Sequence, residues 1–122
     1  MVDAREQFKE ILENIAFEKP FSVSMKFPQS VSDGTMVTYY EVLNTQTAVS
    51  VVDDIAFMVD VWTYDMETLV MLVTAVSDSV CAIGFKRQFS SPDMTPEEEN
   101  GYFRKTLRFG RKVDTRTNRL ID

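Results

Sequence analysis

Apolar residues recur at helical spacing near the start of the chain. Phe8, Ile11, Leu12 and Ile15 fall on one side, with Arg5, Glu6, Lys9, Glu10 and Glu13 on the other. This predicts an amphipathic helix over residues 3–16, with Asp3 as N-cap and acids favouring its positive end. Pro20 prevents its continuation. The period then changes to two. Phe21, Val23, Met25 and Phe27 alternate with Ser22, Ser24 and Lys26, which predicts a strand ending at Pro28. Ser30, Ser32, Asp33 and Gly34 read as a turn. Met36 to Leu43 is rich in β-branched and aromatic residues and reads as a second strand. Residues 44–50 are polar with little periodicity and read as a connection.

A third strand is predicted over 52–63. Ile55, Phe57, Val59 and Val61 mark one face, Ala56, Met58, Asp60 and Trp62 the other. Two apolar faces point to a central strand. Asp60 is the exception and suggests an edge or a partner. Residues 65–83 carry the clearest helical stripe, Leu69, Leu72, Val73, Val76, Val80 and Ile83. Asp65 is the expected N-cap and Gly84 the expected stop. Phe85 to Phe89 follows as a fourth strand, then a Ser90-Ser91-Pro92-Asp93 turn and a one-turn helix start at Thr95-Pro96. Phe103, Lys105, Leu107 and Phe109 alternate with Tyr102, Arg104, Thr106 and Arg108 in a fifth strand with one wet or partner-facing side. The order α-β-β-β-α-β-β predicts an α+β fold, with two helices packed on one face of a mainly antiparallel sheet of four to five strands. Residues 1–110 read as one such domain and 111–122 as a basic, extended tail.

Composition narrows the chemistry. The 122 residues suit one domain, and 44% are hydrophobic. No apolar run is long enough to span a bilayer, and the charged opening residues carry no secretory core, so no membrane partner is expected. Histidine is absent, which excludes Ser-His-Asp and Cys-His catalysis within the chain. The single cysteine, Cys81, is expected as a small buried hydrophobe. With one thiol and no imidazole, no zinc site is expected, and no spaced acidic loop suggests calcium. We therefore expect no cofactor, no metal and no enzymatic activity.

The net charge of −6 hides an asymmetry. Residues 1–83 hold 4 basic and 13 acidic side chains, and residues 84–122 hold 9 basic and 6 acidic. The basic excess gathers in Arg104, Lys105, Arg108, Arg111, Lys112, Arg116 and Arg119. Such a dipolar subunit suits head-to-tail stacking or a charged neighbour. Asp53 and Asp54 are adjacent on a strand, so they face opposite ways and share no acid–base site. Trp62 reads first as core and, more sharply, as an interface anchor. Arg104 and Arg108, on one strand face with Tyr102, also suit phosphates and stacked bases. The candidate interface set is Asp53, Asp54, Trp62, Arg104, Arg108, Arg111, Lys112, Arg116 and Arg119.

An ordered set of features then points to a family. Thr38-Tyr39-Tyr40-Glu41 lies in the second strand, and Val59-Asp60-Val61-Trp62 runs into a helix. An Ile83-Gly84-Phe85-Lys86-Arg87 exit and an acidic turn from Ser91 to Glu99 follow, and Tyr102 to Phe109 closes the domain. In this order the chain resembles the tail terminator proteins, also called tail completion or tail-to-head joining proteins, of long-tailed phages. The resemblance implies a virion protein, assembled in the host cytoplasm, that forms a hexameric ring on the tail tube. That ring stops tube polymerisation and meets the head–tail connector protein. It acts by shape and charge complementarity, with DNA only as cargo passing through. By position, the 44–54 loop reaches a neighbour or the tube, and Arg104–Arg119 meets an acidic neighbour or lines the channel. Two other readings remain: a different neck or head-completion protein, and a small nucleic-acid-binding module using the basic strand.

Overall fold

The computed structural model describes residues 4–25, 35–49, 51–91 and 103–116. The elements follow the order α1 (Arg5–Glu13), β1 (Ser22–Ser24), β2 (Thr35–Gln46), β3 (Val52–Thr63), α2 (Met66–Ala82), β4 (Lys86–Ser90) and β5 (Phe103–Asp114). The five strands form one sheet in the order β1-β2-β3-β5-β4. β1 lies parallel to β2, and every other pair is antiparallel. The fold is α+β, in the predicted element order.

β3 occupies the centre, as its two apolar faces require. Its neighbours β2 and β5 match it residue for residue over nearly its whole length. The register sets Val37 and Tyr39 beside Val61 and Val59, and Leu107 and Phe109 beside Val59 and Phe57. These side chains form one sheet face and pack with Phe8 and Leu12 of α1 and Leu69, Leu72, Val76 and Val80 of α2. Aromatic stacking fixes the centre of this core. Phe8 lies flat on Phe57 at 4.2 Å between ring centroids, edge-on to Phe85 at 5.5 Å and tilted against Tyr39 at 5.8 Å.

The ends of α2 behave as predicted. The Asp65 carboxylate accepts the backbone N–H groups of Glu67 and Thr68, both at 3.3 Å, and the Thr68 hydroxyl at 2.7 Å. The Thr68 hydroxyl bond, aided by these N–H groups and by Lys19, holds the carboxyl below its ordinary value against some desolvation. At the other end Gly84 takes φ 98°, the left-handed conformation that glycine adopts without strain.

Several boundaries differ from the sequence reading, each for a physical reason. β1 is a three-residue edge strand, and Met25 is exposed. The polar stretch 44–50 is only partly a connection. β2 runs on to Gln46, because ladder pairing with Asp53–Ile55 satisfies its backbone whatever its side chains. The Thr47 side chain then fastens the turn, its hydroxyl accepting the Val49 N–H at 3.1 Å and lying 2.9 Å from the Val52 carbonyl. β5 likewise does not give way to a tail at Gly110. It pairs with β3 as far as Asp114, with Val113 buried, so the domain extends past the expected boundary. Cys81 is exposed, not buried. It belongs to the Val70, Thr74 and Asp78 side of α2, opposite the apolar stripe. The expected strand end at 26–28, the turns near 30–34 and 92–101 and the tail beyond 116 lie outside the described residues.

Because Phe8 joins α1 to the sheet and to Phe85, Phe8→Ala is expected to destabilise the fold by about 3–5 kcal/mol in chemical denaturation. Substitutions on the outer face of α2, such as Thr74→Ala, are expected to change it by less than about 0.5 kcal/mol.

Candidate interaction surfaces

Alternation along the strands sends every second side chain to the sheet face away from the helices. That face has two halves of different character. In the first, Thr38, Asp60 and Thr106 form one cross-strand row, and Met36, Trp62 and Arg104 the next. Asp60 is fully buried. Its Oδ1 accepts Arg104 Nε at 3.1 Å and also the Thr106 hydroxyl. Its Oδ2 is buried without a partner. The Arg104 guanidinium lies over the Trp62 ring, 4.6 Å from its centroid, a cation–π contact. The Trp62 indole N–H donates to the Thr38 hydroxyl at 2.9 Å. Asp60 therefore does not mark an edge. It is the anchor of a polar cluster at the middle of the sheet, and Trp62 is buried in that cluster.

The second half is open. Tyr40, Met58, Arg108 and Phe89 make a row across four strands. Tyr40 and Phe89 are exposed, and Val42 beside Tyr40 is also exposed. The next rows hold Leu43, Ala56, Gly110 and Lys86, then Thr45, Asp54 and Lys112. Gln88 sits at an irregularity in β4, accepts Arg108 Nε at 3.0 Å and crosses over Gly110. A side chain at Gly110 would meet Gln88 at 2.3 Å, so the glycine makes room for it. Where this half reaches the end of α2, a pocket of about 470 Å³ opens between Asp54, Gly84, Lys86, Gln88, Arg111 and Lys112.

The structure separates the sequence-predicted residues into groups. Asp53 is buried on the helix side of β3, and Asp54 lies on the open side, 3.3 Å from Lys112 Nζ. Trp62 and Arg104 come together with Asp60, which was not among the candidates. Arg108 and Lys112 share the open half. Arg111 points the other way and donates to the Ile83 carbonyl at the end of α2. Arg116 grips Asp114 at 2.7 Å, beyond the end of the open face. Arg119 lies outside the described residues. Lys86 and Gln88 escaped sequence reading, because a short strand of mixed polarity gives no facial signal. Gly110, which makes room for Gln88, read in sequence as the end of the fifth strand and gave no hint of the contact.

These contacts bear on chemistry. The cations Arg104, Lys112 and Arg116 each face a carboxylate, so they form no continuous positive stripe. Among the described residues no group of three or more His, Cys, Asp or Glu side chains could hold a metal ion. No helix among them is long and apolar enough to cross a membrane. The open half of the face carries exposed aromatics and a pocket lined by cations.

No protein-family model and no curated protein matches the sequence. Among solved structures the chain is similar to one from a structure described as the virion of a native gene transfer agent particle. The two are 18% identical, with a TM-score of 0.59, over 88% of this chain and 84% of the other. The similarity establishes a shared fold.

Two outcomes follow from the polar cluster and the β5 end. Arg104→Ala strands a fully buried carboxylate, whereas Asp60→Ala leaves an arginine that already reaches solvent. Arg104→Ala is expected to cost about 3 kcal/mol in denaturant unfolding, and the double variant less than the two singles combined. Asp114 is held down to about 2 from 3.8, chiefly by hydrogen bonding to the Arg116 side chain. A depressed carboxyl stabilises the fold above its unfolded value and loses that contribution as pH falls from about 4 towards 2. Arg116→Ala should return the Asp114 midpoint towards 3.8 in an NMR titration.

Proposed function

We propose that this chain is a structural protein of a virion. It caps the tail tube as a ring, ends tube polymerisation and joins the tail to the head connector. The observation that carries the reading is the fold shared over 88% of the chain with a chain of a virion particle. The sequence resemblance to tail terminators adds the finer role. A ring subunit needs two different complementary surfaces, because a cyclic ring is built from heterologous contacts. Two different surfaces supporting this reading are a helix layer on one side of the sheet and an open, partly apolar half-face on the other. The hairpin between β2 and β3, with Val49 exposed at its tip, is suited to reach a neighbour or the tube. Copies of the chain, the tube protein and the connector are the partners in this reading, and DNA passes through the ring as cargo. The pairing of Arg104, Lys112 and Arg116 with carboxylates weighs against a nucleic-acid-binding module.

Negative-stain electron microscopy of the purified protein mixed with tail tubes tests the reading. The expected result is a distinct ring at one tube end, with growth stopped there. Bare tube ends together with binding to isolated heads would instead make it a head-side connector. Binding to neither would remove the virion assignment.

A further inference from the structure

Among the described residues no helix or strand packs over the open half of the sheet face, and its chemistry suits one partner. Tyr40 and Phe89 supply exposed apolar area on it. At its end, Lys86, Arg111 and Lys112 rim the pocket with one carboxylate, Asp54, among them. Asp54 is taken by Lys112, and Lys86 pairs with no described residue. This end is therefore net positive.

The complementary surface lies on the same chain, behind the sheet. Glu6, Glu10 and Glu13 of α1 are all exposed. Their spacing puts them along one side of the helix, over about 10 Å. None of the three forms an ion pair with a described residue. Ile11 lies half-buried on the same helix and supplies apolar contact. The apolar side of α1 is packed on the opposite face of the sheet, so α1 cannot reach the pocket of its own copy.

We infer that a second copy of this chain occupies the open half-face, its Glu6–Glu10–Glu13 line docking on the Lys86–Lys112 end. Tyr40 and Phe89 take the apolar part of the contact. The contact joins two different surfaces on opposite sides of the subunit, so it repeats head to tail. Repetition of one such contact closes into a ring when the rotation per copy divides a full turn. This inference rests on the ring reading and names the surfaces that build the ring. Complementary charge sets register and rejects the reversed pairing, in which acid would meet acid.

Charge reversal with rescue tests it, using the full chain and sedimentation velocity. Three variants are compared with the wild type: Lys86→Glu, Glu10→Lys with Glu13→Lys, and all three substitutions together. All are exposed positions, and circular dichroism checks the fold. Each partial reversal is expected to weaken self-association about tenfold, and the complete reversal to restore most of it. If the wild type associates and neither partial reversal weakens it, the proposed contact is overturned while the ring reading stands. If the wild type is monomeric in solution but caps tubes, the same variants are scored by capping. There, loss with the partial reversals and recovery with the complete one supports the contact, and unchanged capping overturns it. A wild type that neither associates nor caps tubes overturns both.

Discussion

The backbone ladder on both sides of β3 is the constraint on which the rest depends. A twelve-residue strand paired along nearly its full length must present both faces to the protein. One face is apolar from Ile55 to Val61, because two helices cover it. The other has no helix above it among the described residues, and there the strand carries a buried aspartate, Asp60. A carboxylate in that position is tolerable only with donors close by, and β5 supplies two, Arg104 and Thr106, in register. The same register places Trp62 under Arg104. Strand pairing thus sets both the hydrophobic core and the polar cluster.

That arrangement divides labour across the sheet. The helix side is closed by aromatic stacking around Phe8 and Phe57 and offers little to a partner except the outer surface of its helices. The far side is sealed at one end by the Asp60 cluster and left open at the other. The open end carries exposed aromatics and cations, a composition common in protein–protein contacts. The acidic bias of the first two-thirds and the basic bias of the remainder become, in three dimensions, an acidic helix on one side and a cationic pocket on the other.

Much of this was legible in the sequence. Element order, the central position of β3, the Asp65 cap and the Gly84 stop all follow from local patterns that the tertiary structure does not override. The opposed directions of Asp53 and Asp54 follow from strand geometry alone. Other features needed the partner strands. Gly110 looks like a terminator in sequence, yet β3 carries the strand four residues further by pairing with it as far as Asp114. Asp60 looks like an edge residue until its neighbours on β5 are known. Cys81 shares the exposed side of α2 with Val70, Thr74 and Asp78, and its burial was inferred from residue type where helical phase decides. The pocket at Lys86 and Gln88 depends on a glycine of another strand, which no local pattern reports.

The central claim is that identical copies meet head to tail, helix layer against open sheet, to close a ring. A three-dimensional reconstruction of tail-tube ends bearing the protein tests it most directly. The account predicts a closed cyclic ring in which α1 of each copy lies against Lys86 and Lys112 of the next. A ring whose copies meet through other surfaces, or a two-fold contact joining like to like, would contradict it.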